Sequence, residues 1–496
     1  MKKPASPPLV FLFTLLAAFF LTGKVWAASD RPRLIVLTDI GHDPDDEQQI
    51  VHLLVCANEV EIEGLITTTG RFFRPNPTDS TKWLMPHLLH NIIDGYAVVY
   101  PNLQLHAKGW PTPEYLHDIV ANGNTGNGMS DVGEGRWSRG ARLVTAAVLK
   151  PDPRPLHIVL NGGANTLAQV LFEYRAAHSP AEVATFVAKL RVFDNQAQDE
   201  AGAWILHEFP SIFWIRGVAQ TRAFGGPANN DLGPWVWKPH AYTPDGQDAW
   251  AHEHIRTGHG ALGATYPTRR VGIIHFLGGG GTVPWLGLVS PGLTDPGEPS
   301  WGGWSGRFYP DKQPDVLSPF AIVQPDEKPY LPFKAYTDQG ITEHWVDPAD
   351  GRTYDGAFVP VWRWRTAMWR DLQARMDWCV LPYAKANHRP LAVLNGDSTH
   401  AILKFAARPG ESLSFSAAGS TDPDGDALGY SWWIYAEAGA HPYGKPLPIE
   451  NATAGKITLT IPADAAGKEL HLILEVRDHS AIVPLIDYRR AVVSVE

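Results

Sequence analysis

Two cysteines, Cys56 and Cys379, are all that the chain has in 496 residues. That excludes a disulfide framework as the source of its stability. Both lie in apolar stretches, so a single bridge between them and two buried thiols are equally compatible with the sequence. Basic residues are also scarce. The 42 Lys and Arg stand against 52 Asp and Glu, a formal net charge of −10. A nucleic-acid partner gripped through a basic face is thereby excluded. No apolar run reaches the ~20 residues of a comfortable membrane span. The nearest, residues 9–21, follows Lys2 and Lys3 and precedes Val25-Trp26-Ala27. This is the pattern of an export signal cut after Ala27; an uncleaved anchor is the other reading of residues 1–27. With the signal removed, the protein is expected to be periplasmic or secreted. No short-period repeat is visible.

What the chain does have is enough apolar sequence to fold. Hydrophobic residues make up 44% and charged residues 19%, and the length predicts two or three domains. The first part alternates strand and helix signals. Residues 34–37 read as a strand buried on both faces, residues 48–57 as a helix, and residues 63–68 as the next strand. Residues 156–160 run into Asn161-Gly162-Gly163 and a helix over 166–174. Residues 190–193 and 212–215 are further strands. This rhythm predicts an α/β domain over residues 30–388, a mostly parallel sheet with flanking helices. Residues 279–333 are rich in Gly, Pro and Trp and read as irregular; 361–379 returns to helix. From 389 to 496, five short alternating strands (412–417, 429–436, 457–461, 470–476 and 490–495) predict an antiparallel β-sandwich of immunoglobulin or PKD type. The 19 tryptophans suit either sugar stacking or an ordinary core.

The densest chemistry is TDIGHDPDDE, residues 38–47. Asp39 follows the first strand directly, and in open α/β sheets that is where ligands bind. Asp45 and Asp46 open the next helix, whose dipole favours anions. Carboxylates gathered this way repel one another unless a cation intervenes, and hard oxygen ligands suit Ca²⁺ best and Mg²⁺ second. Helix capping by Asp43 or Asp45 is the structural alternative.

The stretch from Leu37 to Asp46 resembles the N-terminal signature of nucleoside hydrolases. It is closer still to a secreted, nucleoside-hydrolase-like branch associated with cellulose binding, in which a β-sandwich follows. Residues 61–68, 161–168, 301–308 and 362–365 look like the same branch, as do Ser420-Thr421-Asp422-Pro423-Asp424-Gly425-Asp426 and Ser431-Trp432-Trp433. The resemblance implies a hydrolase of N-glycosidic bonds, with carbohydrate binding or O-glycoside processing on the same scaffold as the alternative. It implies Asp39 as general base and Ca²⁺ ligand, Asp46 as a second ligand and a backbone carbonyl at Asn165 as a third. Asp45 would contact sugar hydroxyls, and Asp43 could replace one of the pair, because the spacing is two residues longer here. Asn161, Asp194, Asn195 and Asp199 would grip the substrate, a small nucleoside or saccharide. One departure stands out. Where the family has a late acid as its last metal ligand, this chain has glycine, near Gly281, so the Ca²⁺ site is expected to be incomplete. His42, His275, Trp285, Trp301 and Trp304 are the candidates for the leaving group. His252-Glu253-His254 reads as a packing cluster, since residues two apart do not share a helix face. Asp422-Pro423-Asp424-Gly425-Asp426 reads as an Asx-type turn between strands, with Ca²⁺ binding as the alternative.

Overall fold

β1 (Arg33–Thr38, sequence RLIVLT) is buried along its whole length. Its side chains alternate between two layers. Leu34 and Val36 enter one apolar core, and Ile35 and Leu37 enter another. A strand with period two and core on both sides belongs in the middle of a covered parallel sheet. It pairs in parallel with β2 (Glu61–Thr67) on one side and β4 (Leu156–Leu160) on the other. β3 (Val120–Asn122), β5 (Leu190–Asn195), β6 (Phe213–Gly217), β7 (Tyr309–Lys312) and β8 (Ala335–Thr337) complete the sheet. Its order is β3-β2-β1-β4-β5-β6-β8-β7, and only β7 runs antiparallel to its neighbour. The first layer is covered by helices Asp45–Val55, Pro86–His106 and Val359–Asp377, the second by Arg139–Leu149, Asn165–Ala177 and Ala201–Glu208.

This computed structural model describes residues 31–41, 44–71, 84–225, 247–268, 272, 274, 277–312, 323–348 and 351–496. The signal read at residues 1–27, His42, Asp43 and His275 lie outside them. Residues 31–496 pack as one compact unit.

A hairpin, β9 (Glu343–Val346) with β10 (Thr353–Gly356), follows the sheet. The C-terminal module has β11 (Leu403–Ala407), β12 (Ser412–Ser416), β13 (Leu428–Tyr435), β14 (Lys456–Thr460), β15 (Glu469–Asp478) and β16 (Ile486–Val495). They form a four-stranded sheet, β11-β16-β15-β13, and a two-stranded one, β12-β14, around Phe415, Trp432, Leu459, Leu472 and Val493. Five of these six strands match those expected. β11 escaped notice; it pairs in parallel with β16 at the sheet edge, so only part of it is buried. Trp432 and Trp433 face opposite sides, as adjacent strand residues must. Trp432 enters the sandwich core, and Trp433 packs 5.3 Å from the Trp364 ring of the first module. Cys56 and Cys379 are both buried free thiols, without a bridge.

The junction between modules is polar as well as aromatic. Glu343 of β9 accepts from Arg307 Nε, from Arg363 Nη2 at 2.6 Å and from Tyr435 Oη at 3.0 Å. Arg490 of β16 donates to the carbonyls of Trp301 (2.7 Å) and Gly302 (2.9 Å).

His52 lies in the first layer, 1% exposed, with neither ring nitrogen hydrogen-bonded. Its ring meets Trp285 edge-on at 5.0 Å and Phe224 at 5.5 Å. Burial depresses its pKa to about 3, more than the nearby Asp371 raises it. The folded value lies below the unfolded one, so stability from the neutral ring is present above about pH 6.5 and is lost as pH falls toward 3. The expected result for His52→Leu is a stability that gains on the parent as the solution is acidified. The gain is up to about 1.4 kcal/mol per pH unit, measured by urea unfolding at pH 7, 5.5 and 4.5.

Candidate active site

Asp39 leaves the end of β1 and lies just beyond the carboxyl ends of the parallel strands, 7% exposed. Pro44 holds the N-cap position of the next helix, and no side chain caps it. The acids of its first turn are Asp45, Asp46 and Glu47. Asp46 is 6% exposed, and its Oδ1 accepts from Thr38 Oγ1 at 2.6 Å. Asp45 is half-buried.

Neighbouring strand ends approach this point through glycine. A Cβ placed on Gly70, after β2, would lie 2.3 Å from Asp39 Oδ2 and 3.3 Å from Gln198 Oε1. One on Gly162, after β4, would lie 2.2 Å from Thr68 Oγ1 and 3.0 Å from the Asp39 nitrogen. Neither position has room for a side chain. Three side-chain oxygens in this region, Thr68 Oγ1, Asn165 Oδ1 and Gln198 Oε1, are buried without a hydrogen-bond partner. Leaving such groups unsatisfied costs about 1–3 kcal/mol each, which a ligand or cation would recover. Thr68 and Gln198 bring such oxygens to the surroundings of Asp39, and neutral oxygens with carboxylates fit a hard cation such as Ca²⁺. Among the described residues, no group of three or more His, Cys, Asp or Glu side chains could hold a metal. A cation here would therefore draw on neutral oxygens as well as Asp39 and Asp46.

Asn161 donates through Nδ2 to the Gly281 carbonyl at 3.1 Å and accepts from Asn195 Nδ2 at 3.5 Å. Asn195 Oδ1 is buried and has no partner. Asp199 accepts the backbone N–H groups of Ala164 (3.0 Å), Asn165 (3.2 Å) and Ala201 (3.1 Å). It thus anchors the start of helix Asn165–Ala177 by its side chain. Burial pushes its carboxyl up to about 7, against the pull of those N–H groups. Asp194 is engaged at both oxygens. Its Oδ1 accepts from Ala197 N at 3.0 Å, and its Oδ2 from Arg216 Nε at 2.7 Å and Trp214 Nε1 at 3.2 Å. Arg216 also pairs with Glu327 at 3.0 Å. Asp194 and Asp199 therefore shape the strand ends, whereas Asn161 and Asn195 face each other, Asn161 against Gly281 and Asn195 against Gly280.

Gly281 opens helix Gly279–Leu286. A Cβ there would lie 2.6 Å from Asn161 Nδ2 and 3.0 Å from Gln49 Cγ. The corner has no space for the late acid that the resemblance implies. Gly281→Asp is therefore expected to destabilise the fold by about 1–3 kcal/mol through overpacking, read from urea unfolding, and not to restore a ligand. Arg222 brings a cation into the neighbourhood. Burial lowers its pKa to about 10, while Asp338 and Asp45 act to raise it.

The aromatic candidates separate. Trp285 is fully buried and donates to Gln49 Oε1 at 3.0 Å. Trp301 and Trp304 are buried at the junction, Trp301 edge-on to His471 and Trp304 edge-on to Tyr488. They hold the modules together. His252 and His254 lie in one short helical turn, His252 3.5 Å from Asp248 and His254 3.9 Å from Glu253. Thr68, Gly70 and Gln198 were missed as site residues. The rule that marked Asp39 applies equally to the ends of β2 and β5 and finds them.

Comparison with known proteins places this geometry. The family described as cellulose-binding Sde182, nucleoside hydrolase-like domain, matches residues 33–308, more than half of the chain. The chain belongs to this nucleoside-hydrolase-like family. The C-terminal domain of the cellulose-binding protein Sde0182 matches residues 412–495. A solved nucleoside hydrolase-related protein from Saccharophagus degradans, described as associated with carbohydrate metabolism, is 37% identical. That match covers 94% of this chain and 100% of the other, with a TM-score of 0.77. Two further structures, the PKD domain of human KIAA0319 and the effector protein XOO4466, are each 12% identical. They have TM-scores of 0.16 and 0.27 and cover 22% and 48% of this chain, and 83% and 65% of their own. No curated protein matches. In this nucleoside-hydrolase-like chain the matched segment runs from β1 through Asp39, Asn161, Gln198 and Gly281.

Proposed function

We propose that the chain is an exported hydrolase of nucleoside-hydrolase type that cleaves an N-glycosidic bond in a small nucleoside or related glycoside. The observation that carries this reading is the buried carboxylate of Asp39, approached by the partnerless oxygens of Thr68 and Gln198, with Asp46 buried in the first turn of the helix that follows. Asp39, Asp46 and Asn165 would hold Ca²⁺. When bound, the ion lowers the pKa of a water and orients vicinal sugar hydroxyls. Asp39 then serves as the base that takes the proton of the attacking water. The negative charge of Asp45 and Asp46 favours an oxocarbenium-like sugar over its neutral ground state. Asn161 and Asn195 offer amide groups to sugar hydroxyls. Asp194 and Asp199 hold the loop that presents them, and Asp43 is kept as an alternative to Asp45.

Gly281 favours a second reading. A corner without the late acid suits a protein that binds cellulose or another glucan, or processes an O-glycoside, on the same scaffold. The net charge of −10 argues against nucleic acid in either case. The two readings are separated by assaying base release from a ribonucleoside panel alongside binding and cleavage of cello-oligosaccharides. Base release supports the first reading. Saturable glucan binding without any base release overturns it in favour of the second.

A further inference from the structure

Gln198 follows an unusual turn. Gln196 and Ala197, just before it, both have positive φ, 70° and 51°, a region that side-chain-bearing residues seldom occupy. Surrounding groups hold the turn there. Ala197 N donates to Asp194 Oδ1 at 3.0 Å, and the Ala197 carbonyl accepts from Arg71 Nε at 3.1 Å. Arg71 is itself fixed by a two-point pair with Asp326, both contacts at 2.9 Å. The turn delivers Gln198 Oε1 to the Gly70 backbone, where Asp39 Oδ2 also arrives. Gln198 is 8% exposed, and this oxygen has no donor. An acceptor oxygen set next to a carboxylate is repelled unless a positive centre or a donor lies between them.

We infer that Gln198 is a cation ligand, supplying a neutral oxygen beside Asp39 in a set from which Gly281 excludes an acid. The inference rests on the Ca²⁺ reading of this site and adds a residue to it. Asp39 and Asp46 would bring the carboxylates of the set, and Thr68, Asn165 and Gln198 would contribute oxygen without charge. Ca²⁺ affinity follows the charge count of its ligands, so the site is built for a weaker, exchangeable ion than one with a third carboxylate. A near-isosteric substitution, Gln198→Glu, turns this neutral oxygen into a charge.

Titration calorimetry of the full chain with CaCl₂ tests this, with the heat lost in Asp39→Asn identifying the site. Gln198→Leu is expected to weaken Ca²⁺ binding at least tenfold. Gln198→Glu, which keeps the side chain's shape, is expected to tighten it at least fivefold. Thermal melts without Ca²⁺ confirm that each variant is folded. Unchanged affinity in both Gln198 variants, with binding lost in Asp39→Asn, overturns the role of Gln198 and leaves the Ca²⁺ reading standing. No Ca²⁺ binding by the unsubstituted chain overturns both.

Discussion

Replacing Glu343 with alanine lowers the unfolding free energy by about 3–5 kcal/mol. It is expected to be among the most damaging single changes in the chain. The carboxylate is fully buried, and so, nearly, are its partners Arg307 and Arg363. Removing it strands the Arg307 guanidinium in a low-dielectric junction and leaves Arg363 only the longer, 3.8 Å pair with Glu437. It also strands the Tyr435 hydroxyl, whose pKa burial and Glu343 raise, so that it stays protonated and donates. A domain's whole stability is only about 5–15 kcal/mol. The alanine variant should therefore accumulate poorly and unfold at much lower urea. Tyr435 belongs to the C-terminal sandwich, while Arg307 and Arg363 belong to the first module. The loss should therefore move a single unfolding transition that both modules share. A double-mutant cycle of Glu343→Gln with Tyr435→Phe measures the cross-module part, and a coupling of zero would mean that the two modules are not energetically joined here. Replacing Glu343, Arg307 and Arg363 together by leucine, methionine and leucine should recover most of the loss, because breaking a buried ion pair is worse than removing it entirely.

The sequence was most legible where one rule acted alone. The apolar run after Arg33 predicted a buried parallel strand because β1 has core on both faces, and the acids after it fell at the crevice because strand ends in such sheets open there. Helix bounds shifted by two or three residues: the apolar periodicity over 48–57 belongs to a helix that spans Asp45–Val55 and opens on Asp45 and Asp46, as their place after the first strand indicates. The region over residues 279–333 was harder. Its glycines and tryptophans looked irregular, yet Gly279–Leu286 is a helix packed on Asn161 and Gln49, and Trp301-Gly302 docks the C-terminal module. Those structures are dictated by distant partners, Arg490 and Tyr435 among them, which local patterning does not contain. Asp194 and Asp199 show the same limit. Their residue type marked them as binding groups, but Arg216, Trp214 and the helix N–H groups of Ala164 and Asn165 take up their oxygens. Gln198 is the converse, an uncharged side chain whose oxygen is left without a partner.

On the hydrolase reading proposed above, Asp39→Asn is expected to reduce turnover by at least about a thousandfold, because the proposed general base and a ligand of the proposed ion would be lost together. The substitution keeps the shape of the side chain and removes a carboxylate that is 7% exposed and set against the Gly70 backbone. The near-isosteric exchange leaves the packing intact, so the unfolding free energy should stay level or rise, as is common when a residue serves activity at the expense of stability. These opposite signs distinguish catalysis from scaffolding. A residue that merely props up the strand end would lose stability and activity in proportion. Asp46→Asn should cost less in stability than a core change, since Thr38 Oγ1 can still donate to the amide oxygen, and its effect should fall on turnover too. Rate assays paired with urea unfolding of the three proteins decide the matter. If Asp39→Asn retained full turnover, Asp39 would not be the base, and the carboxylates after β1 would have to be assigned to ligand binding alone.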